Sequence, residues 1–210
     1  MNDQTKAQPP NLALPFRLGH TTIYREFGKV VCRETFPEPF GSLSEWLLFG
    51  ATQVPVVVLP LDLEGNVIAL EHFRYGAGEM VLELSGGSIE KGQTAKDAVK
   101  KELEEEAGFV VCNDDKIVEL SPHGLWFDPA SSKVQFRPFI AKACTEDKSK
   151  RKCDVHEHIN VQRITLQKWY NELITIRDTK SIAVSILAIP FLEPEARQTV
   201  LKALGDSVAL

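Results

Sequence analysis

The sequence predicts an α/β fold in which helices pack on the faces of a mixed β-sheet. Stretches rich in Val, Ile, Leu and Phe, separated by turn residues, occupy the first part of the chain. One amphipathic helix over residues 95–107 follows them, then more strand-type stretches, and then a helical C-terminal part. Strands, a central helix, further strands and terminal helices are the order expected of a sheet covered by helices.

The predicted strands share a high content of β-branched and aromatic residues and are bounded by turn signals such as Asp62–Asn66. They span residues 28–36, 45–51, 54–61, 66–73, 80–84, 116–120, 134–143 and 159–164. Residues 1–12 are polar and contain proline, which predicts a flexible tail. The polar stretch 144–158 predicts a mobile surface loop.

Three helices are predicted near the C-terminus from their start and stop signals. Thr165 is a suitable N-cap for a helix over 166–173, and Pro190 ends a second helix over 181–189. A third helix over 194–204 is predicted to end at Gly205.

Composition restricts the class of protein. The 210 residues are enough for one domain, or for one domain with a smaller addition. A net charge of −5 disfavours nucleic acid as a partner, and the apolar runs are too short to span a membrane. The N-terminus shows no signal peptide, and the four cysteines lie far apart without metal-site spacing. We therefore expect a cytoplasmic protein with reduced thiols.

The central helix carries an unusual arrangement of acids. Thr94 and Asp97 form a predicted capping box, and Gly108 stands at the C-terminal cap position. With Val99 on the apolar stripe, Glu106 points only about 20° away from it, whereas Glu104 points towards solvent. A carboxylate directed at the core is costly unless a positive group meets it.

Glu102, Glu105 and Glu106 share one side of this helix at i, i+3 and i+4 spacing. A solvated acidic face is the ordinary explanation of such a run, but it does not account for Glu106. Converging carboxylates repel one another unless a divalent cation lies between them, and hard oxygen ligands suit Mg²⁺, or Mn²⁺ in its place. The helix is therefore a candidate metal site.

Residues 87–109 resemble the Nudix hydrolase box, which reads Gly, five residues, Glu, seven residues, then Arg-Glu-apolar-x-Glu-Glu-x-Gly-apolar. The matching positions are Gly87, Glu102, Leu103, Glu105, Glu106, Gly108 and Phe109. Gln93 replaces the first Glu and Lys101 replaces the Arg. In the family that Glu and Arg pair to brace the loop, so a Gln93–Lys101 hydrogen bond is the expected substitute.

The stretch 80–92, MVLELSGGSIEKG, is similar to the ADP-ribose pyrophosphatase branch of the family, where Glu-Leu-Pro-Ala-Gly is common. The resemblance implies that the Gly86 carbonyl is a metal ligand and that Glu83 lies beside the site. FRYG at 73–76 stands where this branch often has Gln-x-Arg, which makes Arg74 a candidate phosphate contact. A surface arginine at a strand end is the alternative.

The stretch 157–189 also resembles this branch, in which the preceding loop carries the catalytic base. Glu157 is the best match for that base, with Asp154 and His156 as alternatives. The loop 121–136 departs from the branch, because it is longer and more aromatic. Trp126 is a candidate substrate contact there, with plain packing as the alternative.

The resemblance implies a Nudix α/β/α sandwich with a mixed sheet over residues 51–210, preceded by a small N-terminal β segment over 13–50. That segment would form a homodimer, and its aromatics Phe36, Phe40 and Trp46 would reach the substrate pocket or pack in the interface. The implied activity is metal-dependent hydrolysis of ADP-ribose or a related nucleoside diphosphate sugar. The alternatives are another sugar nucleotide such as GDP-mannose, a non-catalytic nucleotide-binding module, or a structural domain with a solvated acidic helix.

Overall fold

A computed structural model describes residues 17–26, 28–37, 43–152 and 158–208, with residues 206–208 described by their backbone alone. The chain divides into two compact units. One unit comprises the described residues up to Thr52 together with Asp128–Lys133, and the other comprises Gln53–Phe127 and the residues from Val134 onwards.

The first unit is a three-stranded antiparallel sheet. Strands β1 (Gly19–Glu26), β2 (Lys29–Pro37) and β3 (Leu43–Ala51) follow one another in space as in sequence. The segment Asp128–Lys133 joins β3 through backbone hydrogen bonds from Phe49 N to Ser131 O (2.8 Å) and from Lys133 N to Phe49 O (2.7 Å).

One buried carboxylate organises this sheet. Glu34 is 4% exposed and accepts hydrogen bonds from Arg17, His20 and Lys133. His20, Cys32 and Glu34 bring metal-ligand atoms within 4.8 Å of one another. The Arg17 and Lys133 cations already balance the charge of Glu34, so this cluster is a satisfied ion-pair network.

The second unit contains a mixed sheet in the order β11-β5-β4-β10-β7. Strand β4 is parallel to β10, and the other pairings are antiparallel, including those of β6 with β5 and of β8 and β9 with β10. The strands are β4 (Val56–Asp62), β5 (Val67–Arg74), β6 (Glu79–Glu83), β7 (Phe109–Val110), β8 (Ile117–Glu119), β9 (Leu125–Trp126), β10 (Gln135–Glu146) and β11 (Ile159–Ile164).

Helices cover both faces of this sheet. Helix α1 (Ala95–Glu102) packs on one face, and α2 (Leu166–Asn171), α3 (Thr179–Ala188) and α4 (Pro194–Val208) pack on the other. The central strand β4 shows why: Val56 and Val58 belong to the apolar cluster around α1, whereas Val57 and Leu59 belong to the cluster around α2–α4. The predicted α/β class is confirmed, and every residue of β4 is buried.

Helix α4 and strand β10 both run further than the sequence predicted. Helix α4 continues through Gly205 to Val208, because one glycine weakens a helix interior without ending it. Strand β10 extends to Glu146, into the stretch expected to be a loop. Among the described residues, no helix has the length and apolar character needed to cross a bilayer.

Candidate active site

The acidic helix begins and ends as its sequence predicts. The Thr94 hydroxyl accepts a hydrogen bond from Asp97 N, and the Asp97 carboxylate accepts one from Thr94 N, which completes the capping box. Gly108 adopts φ 70°, the left-handed conformation that glycine takes most easily. The last turn, Leu103–Ala107, is a π-helix, a wider turn that often marks functional sites.

This π-helical turn directs Glu106 into the protein, as the helical periodicity predicted. Glu106 is 5% exposed, and its Oε2 accepts hydrogen bonds from the Ser85 hydroxyl and from Gly86 N (3.1 Å). Burial raises the pKa of Glu106 to about 8, against the lowering effect of the Ser85 hydrogen bond. The charges of Glu102 and Glu83 raise it further, so both carboxylates lie within electrostatic reach.

Glu102 reaches the same loop from one turn earlier in the helix. Its carboxyl group lies so close to the Gly87 backbone that a Cβ on residue 87 would come within 2.3 Å of it. Glu105 is more exposed and lies 3.5 Å from the Lys101 ammonium. The three acids of the helix therefore differ in environment: Glu106 is buried, Glu102 lies against the loop, and Glu105 is partly solvated.

The Gly86–Gly87 loop fits between strand β4 and these acids. Val58 N bonds to Ser85 O (3.0 Å) and Val56 N bonds to Gly87 O (2.8 Å), so these two carbonyls face β4. Gly86 lies between them and directs its N–H at Glu106, on the opposite side.

A side chain at residue 86 is excluded by the strand behind it. A Cβ there would come within 2.5 Å of Val56 O and 3.1 Å of the Val57 Cα. Because these contacts are with backbone atoms, they cannot be relieved by a side-chain rotation.

Arg74 and Glu83 meet as an ion pair in which the carboxylate is buried and the guanidinium is partly exposed. Arg74 Nε donates to Glu83 Oε2 (2.9 Å), and its Nη2 donates to Oε1 of the same carboxylate. His72 Nδ1 lies 3.1 Å from that Oε1, and Glu83 is 1% exposed. Burial disfavours the Arg74 cation, but its contacts with Glu83 outweigh burial, and the pKa of Arg74 is raised. The charge of Glu106 also raises the pKa of Arg74, so the two groups lie within electrostatic reach of each other.

The loop brace differs from the expected one. Gln93 Oε1 accepts from Glu90 N (3.0 Å), and Lys101 Nζ donates to Glu90 Oε1 (2.8 Å). Among the contacts of the described residues, Glu90 thus stands between Gln93 and Lys101, in place of the predicted direct Gln93–Lys101 bond. Lys101, which stands in place of the longer arginine of the box, still has an ionic partner. Glu90, three residues before Gln93, supplies the carboxylate that Gln93 lacks.

Arg151 and Lys152, which follow β10, form hydrogen bonds with the end of the acidic helix. Lys152 N donates to Glu105 O (3.0 Å), Arg151 Nε donates to Glu106 O (3.0 Å), and Arg151 Nη2 donates to Ile159 O (2.6 Å). The first two of these hydrogen bonds satisfy carbonyls at the end of the helix, and the third reaches the start of β11. The predicted base Glu157 and its alternatives Asp154 and His156 lie outside the described residues, so their positions stay predictions.

The aromatic candidates lie in different units. Trp46 is in β3, 51% exposed, and donates to Ser44 Oγ (3.1 Å) within the first unit. Trp126 is in β9 of the second unit and is also 51% exposed. Phe127 packs at 5.2 Å from Phe136 and beneath the Lys180 ammonium. Their proposed substrate contacts stay predictions, and Phe40 lies outside the described residues.

Sequence reasoning missed Ser85, His72 and Glu90. Ser85 has a recognisable signal, because it is a polar residue between the buried Leu84 and the Gly-Gly pair. His72 stands on the buried face of β5, two residues before Arg74. Glu90 gives no such signal, because its role depends on the loop conformation.

The residues at this site fit a divalent cation. Glu102, Glu105 and Glu106 offer hard oxygen donors from one helix, and the space in front of Gly87 is filled by the Glu102 carboxylate. The raised pKa of Glu106 is the response of a buried carboxyl to burial and like charges, both of which a cation would offset.

The sequence model of the NUDIX domain matches residues 51–182 of this chain. The chain belongs to the Nudix family. This confirms the resemblance found in the box.

Two curated relatives extend the comparison. The ADP-ribose pyrophosphatase of Bacillus subtilis (strain 168) is 28% identical over 112 residues, which cover 53% of this chain and 58% of that protein. The match thus spans less than two thirds of the relative's length. The methanol dehydrogenase activator of Bacillus methanolicus is 21% identical over 140 residues, covering 66% of this chain and 71% of the relative.

Two solved structures share the fold. An ADP compounds hydrolase superposes with a TM-score of 0.73 at 18% identity, covering 87% of this Nudix chain and 96% of its own. A NUDIX hydrolase from Nitrosomonas europaea gives a TM-score of 0.51 at 13% identity, covering 66% and 89%. At these identities the likeness concerns the fold, and it confirms the predicted Nudix architecture.

The stability of the metal-free protein should fall as pH rises from about 4.5 to about 8. Across this range folded Glu106 holds a proton that the unfolded chain has released, so deprotonation costs folding free energy. In EDTA, urea unfolding at pH 5.5 and 8 should show a loss on the order of a few kcal/mol. Glu106→Gln should remove that part of the slope and Glu104→Gln should keep it. Equal slopes in wild type and Glu106→Gln would contradict the assignment.

Proposed function

We propose that this Nudix protein hydrolyses the pyrophosphate bond of ADP-ribose or a related nucleoside diphosphate sugar, giving a nucleoside monophosphate and a sugar phosphate. The observation that carries the proposal is the buried Glu106 carboxyl facing the Gly86 loop, with Glu102 and Glu105 on the same helix. The names of two similar proteins, an ADP-ribose pyrophosphatase and an ADP compounds hydrolase, support the substrate class.

The metal site of this proposal consists of Glu102, Glu105, Glu106 and the Gly86 carbonyl, with Mg²⁺ or Mn²⁺ as the cation. When bound, such a cation neutralises pyrophosphate charge and makes water a better nucleophile near neutral pH. The protein's part is to hold these oxygens in place. The Gly86–Glu106 hydrogen bond fixes loop to helix, and the Lys101–Glu90 ion pair holds the outer part of the loop.

Arg74 is the proposed phosphate contact, and Glu83 is its support. Glu83 engages Nε and Nη2 of the guanidinium, which fixes the plane of the group before substrate arrives. A guanidinium held in this way loses little conformational freedom when it meets a phosphate oxygen. Because Glu83 is buried, it would affect substrate binding indirectly, by holding the Arg74 guanidinium in position.

Glu157 is the proposed catalytic base, which would take a proton from the attacking water as the phosphorus–oxygen bond to the leaving group breaks. Two contacts of the flanking residues support it. Lys152 N bonds to the Glu105 carbonyl, and Phe73 N bonds to the His158 carbonyl (3.0 Å) beside Arg74. The chain on either side of residues 153–157 is thus held next to residues of the proposed site.

The proposal includes a homodimer formed through the N-terminal β segment, with Trp46 and Trp126 as contacts for the substrate. Exposed apolar side chains on β3, namely Leu43, Leu47 and Phe49, support an interface there. Light scattering coupled to size-exclusion chromatography tests it: a mass of two chains is expected, and Leu47→Glu should reduce it to one.

A nucleotide-binding regulatory module remains the second candidate. The name of one relative, a methanol dehydrogenase activator, favours this class. The complete set of box acids, Glu102, Glu105 and Glu106, disfavours it. Metal-dependent turnover separates the two.

Product release from ADP-ribose, GDP-mannose, UDP-glucose, NADH and diadenosine polyphosphates, each with Mg²⁺ and with Mn²⁺, tests the proposal. We expect one sugar nucleotide, with ADP-ribose first, to yield a monophosphate and a sugar phosphate. Metal-dependent nucleotide binding without turnover of any compound would establish the regulatory module instead. Selective turnover of GDP-mannose would retain the reaction and correct the base and the sugar.

A further inference from the structure

Ser85 occupies a position at the site that the Nudix box does not cover. It follows β6 and Leu84, is 0% exposed, and lies immediately before Gly86. Its hydroxyl donates to Glu106 Oε2 and lies 3.4 Å from the Glu102 backbone carbonyl. The buried Ser85 hydroxyl thus contacts two residues, Glu102 and Glu106, that lie one turn apart on the acidic helix.

The Ser85 hydrogen bond is one of two that fall on the same oxygen. Gly86 N also donates to Glu106 Oε2, at 3.1 Å. Two donors on one oxygen restrict the rotation of the Glu106 carboxylate, and they therefore also restrict the direction of Oε1. Since a glutamate side chain has three rotatable torsions, this restraint removes conformations that the side chain would otherwise lose on binding a cation.

We propose that Ser85 is a positioning residue of the metal site, which orients Glu106 for the cation through its hydroxyl. The inference rests on the metal site of the proposed function, and it is independent of which nucleotide is the substrate. In the branch that the sequence resembles, proline is common at this position, and proline carries no hydroxyl. The Ser85–Glu106 hydrogen bond is therefore a feature of this chain and not of the box motif.

The competing explanation is that the Ser85 hydroxyl merely satisfies its own hydrogen-bonding need in a buried place. The two explanations predict different effects of removing the hydroxyl. A merely structural hydroxyl contributes to folding stability and leaves cation affinity unchanged, whereas a positioning hydroxyl changes cation affinity through Glu106. Outer partners of metal ligands typically contribute about 10–100-fold to metal affinity.

The test is Mn²⁺ binding to the full chain by isothermal titration calorimetry, without substrate. Ser85→Ala should weaken Mn²⁺ binding about 10–100-fold. Ser185→Ala is the matched control, because Ser185 is equally buried and its hydroxyl bonds to Trp169 and Ser181 on the other face of the sheet. It should bind Mn²⁺ as the wild type does. Equal affinities of wild type and Ser85→Ala would overturn the proposal.

Two further variants keep the test decisive. Ser85→Cys preserves the shape and replaces the hydroxyl by a weak donor, so it should also lose affinity; wild-type binding by this variant would overturn the inference even if Ser85→Ala fails to fold. In a Glu106→Gln background, Ser85→Ala should cause no further loss, because it acts through Glu106. A wild type that binds no Mn²⁺ would instead reject the metal site of the proposed function.

Discussion

Gly87→Ala is expected to abolish tight metal binding while leaving the fold intact. The new Cβ would come within 2.3 Å of the Glu102 carboxyl group, so the carboxylate must leave its place. Because it is the end of a flexible side chain, it can move at little cost to folding. The loss of one ligand should cost at least the ~10–100-fold in metal affinity that an outer-shell partner contributes. Calorimetric Mn²⁺ titration together with thermal unfolding measures both effects.

Gly76→Ala is the control for this substitution. A Cβ at residue 76 would meet no atom within 4 Å, and Gly76 is not in the left-handed conformation. It should bind Mn²⁺ normally and unfold like the wild type. If Gly87→Ala kept wild-type affinity, Glu102 would not be a ligand at the place where the structure holds it.

Arg74→Met should destabilise the fold by about 1–3 kcal/mol, even before substrate is considered, because this is the usual cost of leaving a buried acceptor without its partner. It leaves Glu83, 1% exposed, as a buried charge without its main counter-ion. Glu83→Gln should cost less, because the Arg74 side chain is 39% exposed and can turn towards water. The double variant should regain part of the stability lost in Arg74→Met. Urea unfolding measures all three.

Arg177→Met provides the matched comparison. Arg177 pairs with Glu79, but its side chain is 72% exposed, and pairs of this kind contribute roughly 0–1 kcal/mol. If Arg74→Met were no more costly than Arg177→Met, the Arg74–Glu83 pair would be a surface contact and not a buried support for the site.

Local signals were enough to predict the acidic helix. The capping box, the glycine cap and the inward direction of Glu106 follow from periodicity and neighbouring residues, and each is present. The π-helical last turn was not predicted, since it changes the hydrogen-bond pattern without changing the sequence signals at either end.

Contacts between distant segments were less accessible from the sequence. The Ser85–Glu106 bond joins residues 21 apart, and the Arg74–Glu83 pair depends on the register of β5 and β6. Glu90 meets Lys101 only because the loop between them turns back on the helix. Pairing register and loop path are set by the packing of the whole unit, so composition and spacing do not determine them.

The most direct test of the proposed metal-dependent hydrolysis is AMP release from ADP-ribose with saturating Mg²⁺, measured for wild type, Glu106→Gln and Glu104→Gln. Glu104 lies on the same turn, half-exposed, 3.8 Å from Lys150. Glu106→Gln should lower the rate at least ~100-fold, the scale on which the loss of one electrostatic catalytic group acts. Glu104→Gln should retain nearly the full rate. Equal rates in wild type and Glu106→Gln would contradict the account.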